Sequence, residues 1–258
     1  MKLFKDLYKY RELLKTSIHK ELRGKYKGSF LGILWSFVNP LLMVLVYAIV
    51  FPLILKSPEK NYVVFLIIGI IPWNFFTTVV SQGASTVIVN GNILKKVYFP
   101  REILPISVVT SGLINFGISC IIILLFILFG GMGLSPTMLL LPFIALIQYL
   151  FSLGIIFIIS AVNVYIRDVE YIVNFLVMML FYATPILYSA ELLKNTSFYW
   201  ILLINPMAHI INGYRDIFYY QVMPNMSSLF IVFFGSLICC FIGYTIFQRL
   251  EKGFAEEL

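Results

Sequence analysis

The chain has 258 residues, of which 60% are hydrophobic and only 12% are charged. This composition excludes an ordinary soluble domain and indicates a protein that crosses a membrane several times. The formal net charge of +7 does not point to nucleic acid, because the basic residues lie in short clusters between apolar runs. The three cysteines all lie inside apolar runs, which argues against a disulfide framework.

Residues 2–27 predict a basic amphipathic helix. Apolar residues recur there at steps of three and four, at Leu3, Leu7, Tyr10, Leu14 and Ile18. Such a helix lies in the membrane interface with its lysines near anionic headgroups, or it binds a partner protein, and the pattern fits both.

The next stretch, residues 28–51, is long and apolar enough to cross a bilayer as a helix. The pair Asn39-Pro40 lies inside it. Proline removes a backbone hydrogen bond, and an amide at membrane depth needs a polar partner. We therefore expect this helix to pack against polar groups or to line a pathway.

Five more apolar runs follow, and they give an all-α fold with six membrane-spanning helices. We expect the second run to be broken at Pro72-Trp73-Asn74. Between the fifth and sixth runs, residues 190–226 predict two short interfacial or re-entrant helices that meet at Asn205-Pro206. The later runs cover residues 62–89, 103–129, 138–166, 171–189 and 229–247.

We interpret the whole chain, residues 1–258, as one transmembrane domain. Its parts are an interface helix (1–28), spans one to five (29–189), an external segment (190–226), and span six with a tail (227–258). If both termini are cytoplasmic, fifteen of the nineteen Lys and Arg residues lie on the cytoplasmic side. Basic residues favour that side, so the sequence predicts both termini inside.

Several chemistries have no motif in this sequence. The zinc motif H-E-x-x-H and the phosphate-binding motif G-x-x-x-x-G-K-[ST] do not occur. Charged residues lie only near the ends of the predicted spans, whereas proton-coupled carriers usually place them inside. We therefore predict neither an enzyme nor a self-contained ATPase, and no metal site. If the chain does work, another chain supplies the energy.

Two features are candidates for function. Aromatic residues make up 17% of the chain, and their faces can stack on sugar rings while tyrosine hydroxyls donate hydrogen bonds. The alternative is that these residues form membrane-interface belts or pack the core, and core packing is the better explanation for any single aromatic residue. The short cytoplasmic loop 90–102 could transmit movement from a soluble partner, or it could be an ordinary basic loop.

Four stretches of the chain resemble, in order and at matching spacing, one known family. It is that of the type-2 ABC export permeases for polysaccharides, which translocate O-antigen and teichoic acid. The similarity covers nearly the whole chain. The four stretches are LGILWSFVNPLLMVLVYAIVF (31–51), YFPREILPIS (98–107), RDVEYIVNFLVMMLFYATPILY (167–188) and NPMAHIINGYRDIFY (205–219).

The resemblance implies a permease homodimer in the bacterial cytoplasmic (inner) membrane, with two copies of a separate ATPase that binds the ATP and Mg²⁺. The substrate would be a lipid-linked glycan that enters sideways between spans one and five. The implied channel lining is Trp35, Asn39, Tyr47, Phe51, Phe175, Met179, Tyr182 and Ile186.

Three further sites follow from the same resemblance. The helix that docks on the ATPase would use Ile93, Leu94, Val97, Tyr98 and Phe99. Arg167 would contact the lipid pyrophosphate where it enters, and a basic residue that only fixes topology is the alternative. The external gate helices would include Tyr214, Arg215 and Phe218.

Two other classes stay open at this point. One is a type-2 permease for drugs or lipids, which shares the architecture. The other is a membrane-embedded glycosyltransferase that acts on the same lipid-linked substrate. A neighbouring gene for an ATPase with a phosphate-binding motif would decide between a transporter and an enzyme.

Overall fold

The computed structural model describes residues 7–24, 28, 30, 32–55, 60–194 and 196–258. Within these ranges every regular element is helical. The helices, numbered in chain order, are α1 (Arg11–Gly24), α2 (Trp35–Leu55), α3 (Tyr62–Val89), α4 (Gly91–Leu94), α5 (Ile103–Phe129), α6 (Leu141–Tyr165), α7 (Val169–Ala183), α8 (Tyr199–Ile204), α9 (Pro206–Arg215), α10 (Met226–Leu250) and α11 (Phe254–Glu257).

Four stretches of helix are long and apolar enough to cross a membrane: Tyr62–Val89, Ile103–Phe129, Pro136–Tyr165 and Met226–Gly253. The two shorter apolar helices are Val38–Phe51 and Val169–Ala183. The all-helical class is therefore confirmed, and the count of six spans stays a prediction. The starts of the predicted interface helix and of the first span lie partly outside the described residues.

The structure corrects three predicted element boundaries. α3 runs without a break through Pro72, because proline removes one hydrogen bond and the rest of the helix is held by packing on all sides. α7 ends at Ala183, where Thr184 turns extended before Pro185. The loop 90–102 contains the single helical turn α4 rather than a longer helix.

α3 is the central element of the fold. It packs against α2, α5, α6, α7 and α9, and its residues from Val64 to Trp73 are all buried. A helix that is apolar all round is stable only when protein or lipid surrounds it. The neighbours of α3 therefore set its position, and α3 in turn holds α2 and α7 at one side of the bundle.

α6 and α10 form the most extensive helix pair. Small residues of α10 lie where it meets α6, at Cys239 and Gly243, and small residues let membrane helices approach closely. A Cβ atom added at Gly154 of α6 would lie 2.7 Å from the backbone nitrogen of Cys240. One added at Gly243 would overlap the carbonyl oxygen of Gly154. The two backbones therefore touch at this crossing.

We predict that Gly243→Ala destabilises the protein by about 1–3 kcal/mol, because the added methyl group overpacks the crossing with α6. Gly235→Ala is the matched control on the same helix, since open space surrounds a Cβ atom there. Thermal unfolding of the detergent-solubilised protein measures both. Equal melting temperatures for the two variants would contradict this description of the crossing.

Candidate functional site

An aromatic groove runs between α2, α3 and α7. Its middle part is a cavity of about 260 Å³. There the rings of Tyr47 and Phe181 stack with centroids 5.9 Å apart, and Trp73 lies against Phe181 at the same distance. Phe181 also touches Tyr182 edge-on at 5.2 Å. The groove therefore presents ring faces and tyrosine hydroxyls together at one side of the bundle.

The groove continues outward into a second cavity of about 470 Å³. Tyr182 lines both cavities and joins them. Phe51, Tyr188 and Phe198 lie in the outer cavity, and the ring of Phe51 lies 5.7 Å from that of Tyr47. The two cavities therefore form one path along α2 that ends near α8.

Polar groups lie at the end of this groove opposite to α8. The Ser81 hydroxyl of α3 donates a hydrogen bond of 2.6 Å to Oδ1 of Asn174 on α7. Asn74 and Thr77 of α3 also line the middle cavity. The lining of the groove thus changes from amide and hydroxyl groups at this end to aromatic rings toward α8.

The structure divides the predicted channel residues into four groups. Tyr47, Phe51 and Tyr182 line the groove, and Phe175 and Met179 lie on the exposed side of α7. Trp35 and Asn39 line a separate cavity on the α5 side of α2. Ile186 is fully buried after the end of α7, so it does not continue the exposed face as its helical spacing predicted.

The predicted gate residues are buried in the bundle. α9 packs against α3, α6 and α10, and Tyr214, Arg215 and Phe218 are at most 2% exposed. The Tyr214 hydroxyl donates to Oε1 of Gln148, 3.0 Å away. α8 and α9 are thus two short helices that meet at Asn205, as predicted, and α9 lies inside the protein.

Arg215 holds the turn that follows α7. Its guanidinium donates to the backbone carbonyls of Pro185, Ile186 and Tyr188, with distances of 2.7 Å to Ile186 and 3.2 Å to Tyr188. The Arg215 Cζ atom also lies 3.6 Å from the centre of the Phe65 ring. A planar guanidinium suits this combination of several acceptors and an aromatic face.

In the loop 90–102, only part of the predicted docking surface is exposed. Tyr98 is 92% exposed, and Ile93 and Val97 are about half exposed, whereas Leu94 and Phe99 are buried. The exposed side chains are available to a partner, and the buried two hold the loop on the bundle.

Two other parts of the chain fix this loop. Lys20 of α1 donates a 2.6 Å hydrogen bond to Oδ1 of Asn90. Arg101 donates to the carbonyl of Glu251, and its guanidinium lies 5.6 Å from the ring centre of the buried Phe254. The loop is therefore held between α1 and the segment that follows α10.

Arg167 lies exposed between α6 and α7. Its neighbour Asp168 is exposed too, and the backbone N–H of Glu170 donates to Asn163 at the end of α6. At this position the side chain of Arg167 is accessible to solvent. Among the described residues, no three His, Cys, Asp or Glu side chains lie close enough together to hold a metal ion.

The chain was compared with known proteins. Residues 12–219 match the family described as ABC-2 type transporter. The chain is 36% identical over 261 residues to the O-antigen export system permease protein RfbA of Myxococcus xanthus, with 100% of both chains covered. It is 36% identical over 248 residues to the protein of the same name from Klebsiella pneumoniae, covering 96% of this chain and 95% of that one. Similarity to the polysialic acid transport protein KpsM of Escherichia coli is 22% identity over 246 residues, covering 90% and 91%.

We predict that the aromatic groove admits water. On a background without Cys120, Cys239 and Cys240, the thiol of Tyr182→Cys should react with a hydrophilic thiol reagent in membrane vesicles about tenfold faster than that of Phe241→Cys, because the reactive thiolate forms only in water.

Phe241 is the matched control. Its side chain on α10 is 73% exposed against 66% for Tyr182, and we expect it to face lipid. Equally slow labelling at the two positions would mean that the groove is closed or filled with lipid.

Proposed function

We propose that this chain, which belongs to the ABC-2 type transporter family, is the membrane subunit of an ATP-driven exporter for a lipid-linked polysaccharide of the O-antigen or teichoic-acid type. The observation that carries this proposal is the full-length similarity to two O-antigen export permeases at 36% identity. The aromatic groove between α2, α3 and α7 supports it independently, because ring faces and hydroxyls together suit the two kinds of surface on a sugar.

In this proposal two copies of the chain form a homodimer, and α2 and α7 of each copy face the other. The large exposed apolar surface of α7, on which only Val177 is buried, is consistent with a dimer interface or a lipid contact. The glycan would pass along the aromatic groove, with its lipid pyrophosphate near Arg167. Guanidinium binds phosphate through two parallel hydrogen bonds, which suits that role.

A separate ATPase subunit would supply the energy and would bind the ATP and Mg²⁺. We assign its docking surface to the exposed Ile93, Val97 and Tyr98, with Lys95 and Lys96 at the rim. The complex would lie in the bacterial cytoplasmic membrane with both termini of this chain inside. α8 and the turn after α7 would border the external opening, held in place by Arg215.

We predict that cells without this chain lose the glycan from their surface and accumulate it, still lipid-linked, on the cytoplasmic side. The wild-type chain should restore export. Chemical analysis of surface polysaccharide and of the extracted lipid-linked pool measures both effects.

The two alternatives give different results in this experiment. A lipid or drug permease would leave the surface glycan intact in the deleted strain. A glycosyltransferase would leave no lipid-linked product to accumulate, since the polymer would not be made. Either result would contradict the proposed function.

We predict that Tyr98→Ala lowers export per ATP hydrolysed in the reconstituted complex without lowering the stability of the permease. Anchors that enter a dry pocket carry most of the energy of an interface, often above 1 kcal/mol each. Tyr98 is free to act as such an anchor because almost its whole side chain is exposed.

Leu94→Ala is the informative comparison, because Leu94 is only 9% exposed. Its truncation leaves a cavity in the bundle and should cost about 2–5 kcal/mol of stability. If Tyr98→Ala leaves the ratio of transport to hydrolysis unchanged, then Tyr98 is not part of the docking surface.

A further inference from the structure

A third cavity of about 310 Å³ lies on the α5 side of α2, next to the aromatic groove but separate from it. We call it the amide cavity. α2, α3 and α5 form its walls, and the end of α1 contributes Glu21 at its cytoplasmic mouth. Four carboxamide side chains line it, those of Asn39, Asn74, Gln82 and Asn115. It is also lined by the hydroxyl residues Thr78, Ser111 and Ser119.

One amide of this cavity, that of Asn115, differs from the buried amides elsewhere in the bundle. Gln148 donates to the carbonyl of Pro72, and Asn163 donates to that of Ala84, both at 2.8 Å. By contrast, Oδ1 of Asn115 is buried without a hydrogen-bond partner among the described residues. A buried polar atom that lacks a partner is costly, so a ligand or water that pairs with it is favoured.

The chemistry of the lining selects the ligand. Of the ionisable side chains, Glu21 alone lines the cavity among the described residues, and the neighbouring Lys20 donates its hydrogen bond to Asn90 rather than lining the cavity. A phosphate would meet a carboxylate without a compensating cation, which disfavours anions. Burial raises the pKa of Glu21, while the neighbouring Lys20 opposes this effect. Carboxamides both donate and accept hydrogen bonds, which matches a group that carries several hydroxyls.

Aromatic faces complete the lining. Trp35, Phe75 and Phe116 contribute ring surface beside the amides. Ring faces stack on apolar faces of a ligand while the amides bind its edge. The volume of the cavity lies near the lower end of the range for small-molecule sites. One ring of a sugar fits these features, whereas a lipid chain finds too many polar groups.

We propose that the amide cavity binds one neutral sugar ring at the cytoplasmic end of the bundle. That this ring belongs to the glycan to be exported rests on the proposed function. Asn74 lines both this cavity and the aromatic groove, so a sugar held here lies beside the polar end of the groove. The cavity is thus a binding site beside the polar end of the groove, and it is separate from the groove.

The distribution of tryptophan gives a direct test. The chain has three tryptophans, of which Trp35 lines the amide cavity and Trp73 lines the groove. A variant with Trp73→Phe and Trp200→Phe keeps the cavity reporter alone. A variant with Trp35→Phe and Trp200→Phe keeps the groove reporter as the matched control. Both are measured with the full-length chain in phosphatidylcholine nanodiscs, without the ATPase, whose own tryptophans would contribute to the emission.

The probes are the methyl glycosides of glucose, galactose, mannose and N-acetylglucosamine. We expect at least one to change the emission of Trp35 saturably, with no saturable change in the Trp73 reporter. Gln82→Leu or Asn115→Leu should weaken this binding by about threefold to tenfold, the effect of one neutral hydrogen bond. Gln248→Leu on α10, outside the cavity, should leave it unchanged.

Three results would overturn the proposal. They are no saturable response to any of the four glycosides, an equal response from the Trp73 reporter, and a response to glycerophosphoethanolamine instead, which would make the cavity a lipid site. The deletion strain separates this failure from that of the proposed function. Lost surface glycan without sugar binding rejects the cavity alone, while sugar binding with normal surface glycan rejects the exporter alone.

Discussion

The part of the bundle around the turn after α7 depends on one buried guanidinium, that of Arg215. The turn after α7 leaves helical geometry, and its carbonyl groups at Pro185, Ile186 and Tyr188 lie inside the bundle. Irregular backbone away from water is stable only when its polar groups find partners. Arg215 donates to all three carbonyls and rests on the ring of Phe65. This interaction lets α7 stop early and lets α9 enter the bundle beside α3.

The helices differ in how tightly they are held. α6 and α10 meet backbone to backbone at Gly154 and Gly243, and α3 is enclosed on all sides. α2 and α7 lie at the edge, where α7 buries only Val177. The aromatic groove lies between α2 and α7 on one side and α3 on the other. Movement of α2 or α7 therefore changes the width of the groove without disturbing the core.

The sequence predicted the helices better than the environment of individual side chains. The bounds of α3 and α5 follow from uninterrupted apolar runs, because a long apolar run has few other stable conformations in a membrane. The early end of α7 was missed because Pro185 and Thr184 act through tertiary contacts. Helical spacing predicted that Ile186 continues an exposed face, and the family resemblance placed Leu94 on a docking surface and Arg215 in a gate, but all three are buried. Spacing gives the face of a helix but not which neighbour covers it.

The surface around the loop 90–102 combines parts of the chain that are synthesised far apart in time. The loop around Arg101 is held by the carbonyl of Glu251 and the ring of Phe254, about 150 positions later in the sequence. Contacts of such long range form late, after the intervening helices have inserted. During translation this loop therefore remains incompletely supported until α10 is in place. A nascent chain consequently offers a partner its finished surface only once the whole bundle has assembled.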